Sequence, residues 1–269
     1  MTTLPEQARV ALITGASSGI GAAFARALAA RRYDLILVAR RAERLGELAA
    51  ECHDRYGVRA DVQVADLSRT DDIERIASLA HTYDNVSLLV NNAGFGTSGR
   101  FVDVDVRKSV DMITVHVTAT MQLTHAFLPR MIARDEGAIL NVSTIVSDIA
   151  QAGTAVYCAT KSFVNSFSRS LQREMDEAGR NIQVRTILPG LTETEFFSTD
   201  EYRNRGIAQE NRRFVRSAEE VAEASLASLS SDHVYVFPDA TNRRVYELLV
   251  REGKTWPEAV AAAYDEAGL

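Results

Sequence analysis

The chain has 269 residues, 46% of them hydrophobic, which is enough to bury a full core, and no shift in composition divides it into unlike halves. Its 30 lysines and arginines are outnumbered by 36 acidic residues, and the formal charge of −6 with scattered basic residues leaves no footprint for nucleic acid. Two distant cysteines, Cys52 and Cys158, speak against a disulfide scaffold, Met1 to Glu6 lacks a signal-peptide core, and no run reaches membrane-spanning length, so a cytoplasmic protein is expected.

From the amino end, the apolar run at residues 9–14 leads into Thr14-Gly15-Ala16-Ser17-Ser18-Gly19-Ile20-Gly21 and then into the helical spacing of Phe24, Ala27 and Leu28. Strand, glycine loop and helix follow one another. Glycines let the backbone turn tightly and approach a ligand closely, and the open amides at the positive end of a helix attract phosphate. Gly15, Ser17, Ser18, Gly19, Ile20 and Gly21 therefore read as a nucleotide pyrophosphate cradle, the plainer alternative being a turn that closes an ordinary βα unit. The spacing, Gly-x-x-x-Gly-x-Gly, differs from the usual dinucleotide fingerprint.

Further apolar runs at 34–39, 60–65, 86–91, 137–143, 182–188 and 233–237 read as strands separated by helical patterns. Their near-continuous hydrophobicity predicts parallel strands covered on both faces, and hence a doubly wound α/β sheet with ligands at the carboxyl ends of its strands. The longest connection, Leu191 to Arg216, is polar but carries Phe196, Phe197 and Phe214, and is the candidate for a mobile lid. Asn242 to Leu269 reads as two short helices around Trp256-Pro257. Before it, Val164, Phe167, Leu171 and Met175 make an apolar stripe that suits either packing on the sheet or pairing of subunits.

Tyr157 and Lys161 stand four residues apart on a predicted helix and so share a face. A free tyrosine ionises near pH 10. A neighbouring ammonium favours the phenolate, which turns the phenol into a usable proton shuttle at neutral pH. A surface tyrosine packed along a lysine stem is the plain alternative.

Together with Asp66-Leu67, Asn91-Asn92-Ala93-Gly94, Asn141-Val142-Ser143-Thr144 and Pro189-Gly190-Leu191-Thr192-Glu193-Thr194, the glycine loop and the Tyr157/Lys161 pair resemble the short-chain dehydrogenase/reductase family, in its order and spacing and over most of the chain. The resemblance implies a single-domain doubly wound Rossmann fold over residues 1–269. Its seven-stranded parallel sheet would run 3-2-1-4-5-6-7 with helices on both faces, with a substrate loop at about 191–216 and a helical tail at about 242–269.

The resemblance also assigns the cofactor. Where an NAD-preferring relative ends its second strand with a carboxylate, this chain reads Val38-Ala39-Arg40-Arg41. Paired guanidinium groups suit a 2′-phosphate, so NADP(H) is expected; Arg40 and Arg41 are otherwise the solvated start of the next helix. By resemblance, Asp66 and Leu67 meet adenine, while Asn92, Ala93 and Gly94 wall the adenosine. Pro189, Gly190, Thr192 and Thr194 flank nicotinamide. A helix cap at Asp66, a turn at Asn92 and a capped turn after Pro189 are the structural alternatives.

Of the four catalytic positions implied by the family, Tyr157 and Lys161 are kept. Thr144 stands where relatives place serine and keeps the hydroxyl; Ser143, expected on the other side of the strand, ranks second. His116 stands where the family has a relay asparagine. An imidazole both donates and accepts, so it would hold the relay water or carry the proton, or it is simply packed in its helix.

The implied reaction is hydride transfer between nicotinamide and a carbonyl or alcohol carbon of a small to medium, partly apolar substrate, with Phe95, Val146, Ile149, Phe196, Phe197 and Phe214 bordering the pocket. A homodimer or homotetramer is implied as well, paired through the helix starting near Asp103 and the one carrying Tyr157. The competing expectation is a non-catalytic NADP(H)-binding redox sensor on the same fold, motivated by His116 and Thr144.

Overall fold

The computed structural model describes residues 9–149, 151–195 and 214–267. Seven strands form one sheet: β1 (Val10–Thr14), β2 (Asp34–Ala39), β3 (Ala60–Val64), β4 (Val86–Asn91), β5 (Gly137–Val142), β6 (Ile182–Ile187) and β9 (Tyr235–Val236). Their order is β3-β2-β1-β4-β5-β6-β9, with every neighbouring pair parallel. The expected topology is therefore the observed one. A separate short ribbon pairs β7 (Thr192–Glu193) with β8 (Arg216–Ser217), an element the sequence reading did not anticipate.

Alternation along each strand explains the continuous apolar runs. Ala11, Ile13, Leu35, Leu37, Leu88, Val90 and Leu140 face one core, beneath α1 (Gly19–Ala30), α2 (Ala42–Tyr56) and α7 (Ala218–Ala227). Val10, Leu12, Ile36, Val38, Leu89, Ile139 and Val184 face the other, beneath α3 (Thr70–Ser78), α5 (Thr120–Arg134) and α6 (Ala155–Glu177). Both faces are covered, so polar residues have little place inside the central strands. At the sheet edge β3 departs from this pattern, and Val64 is 47% exposed.

The chain crosses from β3 over to β4 on the far side of β1, which opens a crevice at the carboxyl ends of these two strands, where ligands bind in doubly wound sheets. A buried polar strut holds α6 against the sheet beside it. Asn91 and Asn141 are register partners; Asn91 Nδ2 donates to Asn141 Oδ1 (2.8 Å), and Asn141 Nδ2 donates to Ser168 Oγ on α6 (2.8 Å).

Between β4 and β5, α4 (Val106–Ile113) runs through a six-residue π-helical segment, Thr114–Ala119, into α5. Such widened turns gather at functional sites. The helix begins at Asp105, whose side chain accepts from the Arg107 amide, close to the expected start near Asp103. In the tail, α8 (Ala240–Val250) and α9 (Trp256–Ala267) stand where two short helices were expected. They bury Val245, Leu248, Leu249, Ala259 and Val260 in a third core, with Ile145, Leu188, Leu191 and Phe214. No helix among the described residues is long and apolar enough to cross a membrane.

Candidate active site

The first wall of the cleft is the turn between β1 and α1. Gly15 (φ +68°) and Gly19 (φ +53°) adopt backbone angles that side chains disfavour, and a Cβ on Gly21 would lie 2.3 Å from the Gly15 carbonyl oxygen. Helix α1 starts without a side-chain cap, so its first amides stay open. Thr14 Oγ1 accepts from the amides of Asn92 and Ala93 (both 3.0 Å), while Asn92 Nδ2 donates to the Thr14 carbonyl (2.9 Å). The Asn92 side chain thus ties the β4 wall to the glycine turn.

The cleft has a volume of about 630 Å³, and all the sequence-predicted cofactor and catalytic residues except Gly21 line it. Gly21 lies behind, where its lack of a side chain lets α1 pack on the turn. Asp66 forms a local turn, accepting at Oδ1 from the amide (3.1 Å) and hydroxyl (2.8 Å) of Ser68; Arg69, not Asp66, occupies the cap position of α3. Leu67 is buried beside it.

At the adenosine end, Arg41 lies against the cradle. Its Nε and Nη2 donate to Ser17 Oγ (3.1 and 3.0 Å), and Nη2 also donates to Ser18 Oγ (2.6 Å). Its Nη1 donates to Glu195 (2.7 Å), and Arg44 holds the other oxygen of that carboxylate. These contacts, Arg44 first, keep the Glu195 carboxyl down at about 2. Arg40 lies exposed on the cleft rim. Sequence reasoning missed Glu195, whose arginine partners lie more than a hundred positions away in the chain.

At the other end, α6 presents Tyr157 half-buried to the cleft and buries Lys161, whose Nζ donates to the Val142 carbonyl at the end of β5 (2.9 Å). Burial lowers the Lys161 ammonium to about 8. At neutral pH it keeps its charge, with little margin. Thr144 Oγ1 donates to the Pro189 carbonyl (3.4 Å), and Ser143 Oγ donates to the Lys161 carbonyl (3.2 Å). Ser143 is therefore aimed at the α6 backbone, and Thr144 at the β6 turn.

His116 sits in the π-helical segment and is 1% exposed. The Thr160 hydroxyl donates to the Tyr157 carbonyl (2.8 Å), so it accepts from His116 Nδ1 (2.9 Å), and Nε2 accepts from the Phe95 amide (3.2 Å). Both ring nitrogens are engaged within the protein. Burial first, and the Lys161 charge second, push His116 well below its usual 6.5, so the ring is neutral. Its edge meets the Tyr157 ring at 5.9 Å between centroids. Gly94 leaves room for it: a Cβ there would lie 2.7 Å from His116 Nε2 and 3.6 Å from Lys161 Nζ. Thr160, the partner that decides the tautomer, was missed because a lone threonine inside the Tyr/Lys pentapeptide carries no signal of its own.

After β6, Thr192 Oγ1 donates to the Gly190 carbonyl (3.2 Å) and Thr194 Oγ1 to the Thr192 carbonyl (3.4 Å). A Cβ on Gly190 would strike Asn242 Oδ1 (2.1 Å) and the Phe214 ring (2.7 Å), so the tail helices press on this turn from behind. Phe214 is a correction to the expected pocket border. It is fully buried, edge-on to Trp256 and Tyr264, because the tail supplies an apolar cluster for it to join. Phe95 lines the cleft, while Ile149 lines a second cavity of about 660 Å³ beside Asp148 and Cys158. Phe196, Phe197 and most of the expected 191–216 lid lie outside the described residues.

The family model described as short chain dehydrogenase matches residues 9–204. The chain is 36% identical over 190 residues to an NADP-dependent 3-hydroxy acid dehydrogenase of Schizosaccharomyces pombe, covering 69% of this chain and 72% of that protein. Among solved structures, a short-chain dehydrogenase from Sphingobium yanoikuyae in complex with NADPH is similar at a TM-score of 0.80 and 34% identity, covering 91% of this chain and 94% of that one. A bulky-bulky ketone specific alcohol dehydrogenase from Comamonas testosteroni is similar at a TM-score of 0.76 and 30% identity, covering 94% of each chain.

Proposed function

The chain belongs to the short-chain dehydrogenase family, and on that premise we propose that it is an NADP(H)-dependent oxidoreductase interconverting a carbonyl compound and its alcohol, working as a reductase where NADPH is plentiful. The observation that carries this reading is that Tyr157 and Lys161, one helical turn apart, line the same cleft as the glycine turn.

The residues fit the cofactor on three counts. A Cβ on Gly15, Gly19 or Gly21 would strike protein atoms within 3 Å and force the turn out of shape, the start of α1 is uncapped, and a guanidinium already bridges the serines of the turn at the place a 2′-phosphate would need. Gly15, Ser17, Ser18, Gly19, Ile20 and Gly21 would cradle the pyrophosphate, Arg40 and Arg41 the 2′-phosphate, and Asp66, Leu67, Asn92, Ala93 and Gly94 the adenosine. Pro189, Gly190, Thr192 and Thr194 would hold the nicotinamide. The bound cofactor would supply or accept the hydride.

Tyr157 moves the proton at the substrate oxygen, and Thr144 would orient that oxygen by turning its hydroxyl away from its long (3.4 Å) contact with the Pro189 carbonyl. Lys161 favours the phenolate by its charge and would hold the nicotinamide ribose. His116, with both nitrogens engaged, acts by joining the Phe95 loop to the Tyr157 turn. A partly apolar, medium-sized carbonyl compound suits the cleft edge at Phe95, and one structural relative is described as bulky-bulky ketone specific.

We also read the protein as a homodimer or homotetramer. The α6 stripe is taken up by the core at Val164, Leu171 and Met175, but α4 exposes Val106 (68%), Val110 (54%) and Ile113 (43%) along one face, next to Phe101 and Val102. Such a patch suits a second copy. The functional reading is tested by NADPH and NADH oxidation against a panel of aldehydes and ketones. Turnover favouring NADPH supports it, and silence with both cofactors contradicts it.

A further inference from the structure

The end of the cleft that would take the 2′-phosphate already holds an anion belonging to the protein. Glu195, on the segment after β7, reaches across to the start of α2, where Arg41, at the N-cap, binds one carboxylate oxygen at 2.7 Å and Arg44, in the first turn of the helix, binds the other. The same Arg41 is anchored on Ser17 and Ser18 of the glycine turn. The neighbouring Thr194 lies over that turn, so that a Cβ on Gly19 would come within 2.9 Å of its methyl group. One short segment therefore crosses the mouth of the phosphate cradle and is pinned at its far side by two guanidinium groups.

We propose that Glu195 is a specificity-determining residue: its carboxylate is an internal competitor for Arg41 and Arg44, and NADP(H) binds by exchanging that carboxylate for its 2′-phosphate. The inference rests on the NADP(H) reading above. Three features make the exchange workable. The ion pairs are about half exposed, with side-chain accessibilities of 41% for Arg41, 48% for Arg44 and 49% for Glu195, and pairs this exposed are weakly held. A phosphate monoester carries more charge than a carboxylate and has three acceptor oxygens, so it can satisfy two guanidinium groups at once. A ribose 2′-hydroxyl has neither property and leaves the carboxylate in place.

The test is calorimetric titration of the full chain with adenosine 2′,5′-bisphosphate and with adenosine 5′-monophosphate, comparing the wild type, Glu195→Gln and Arg41→Ala. Loss of one exposed competing charge is expected to tighten the bisphosphate roughly three- to tenfold and to change the monophosphate by less than about twofold. Arg41→Ala should weaken only the bisphosphate. If Arg41→Ala weakens the bisphosphate but Glu195→Gln leaves it unchanged or weaker, or tightens both ligands equally, the competitor inference fails while the NADP(H) reading stands. If the wild type binds the bisphosphate no more tightly than the monophosphate, the NADP(H) reading itself fails and the inference falls with it. Thermal melting of each variant establishes that the titrated protein is folded.

Discussion

His116 Nδ1 lies 2.9 Å from Thr160 Oγ1, and the hydrogen of that hydroxyl is directed to the carbonyl of Tyr157. The imidazole is thereby fixed as the Nδ1–H tautomer, with Nε2 accepting from the loop after β4. It links the β4 loop, the π-helical turn and the start of α6.

This arrangement predicts a neutral His116 well into the acid range. In the unfolded chain the ring protonates near 6.5, whereas in the fold it does so only well below that value. As pH falls through 6.5 the unfolded state takes up a proton that the folded state refuses, so stability drops on acidification. Imidazole ¹⁵N spectra should show the neutral Nδ1–H form at pH 6, and His116→Gln should flatten the loss of melting temperature between pH 7 and 5.

Lys161 has the opposite pH window. The folded ammonium discharges at about 8 and the unfolded one at 10.5, so between those values the unfolded chain holds the extra proton and stability rises with pH. Lys161→Met should raise stability at pH 7 by roughly 1–2 kcal/mol, the removed buried charge outweighing the unpaired Val142 carbonyl, and the gain should shrink by pH 10. Melting curves at the two pH values check this, and the same variant should lose turnover.

Gly94→Ala should disturb the site chiefly through the His116 ring, with Lys161 Nζ only in ordinary contact range of the new methyl (3.6 Å). The new methyl would meet the His116 ring at 2.7 Å, and overpacking of this kind costs about 1–3 kcal/mol. Lower melting temperature together with altered ¹⁵N shifts of His116 would confirm the clash; unchanged shifts would refute it.

Phe214→Ala separates a core residue from a pocket residue. With the ring fully buried against Trp256, truncation should destabilise the protein by about 3–5 kcal/mol and expose the tail to proteolysis. A change in substrate KM with no loss of stability would mean that Phe214 borders the substrate instead.

Much of the sheet was legible because both faces of each central strand are covered, so strands such as β2 and β4 read as largely apolar runs with the observed limits. The β7–β8 ribbon was not, since strands of two residues carry no periodicity. Phe214 was assigned to the pocket border because an aromatic residue in a polar connection looks the same whether a substrate or the tail covers it. Glu195 and Thr160 act through partners more than a hundred and about forty positions away, and pairing over such distances leaves no local trace.

The most direct test of the account is to measure NADPH oxidation with an accepted carbonyl substrate by the wild type and by Tyr157→Phe, with NADPH affinity measured on both. The account predicts that the variant binds NADPH as tightly as the wild type while turnover falls roughly 10²- to 10⁴-fold, the contribution of a positioned acid. Equal turnover in both proteins, or tight NADPH binding with no turnover even in the wild type, would contradict it.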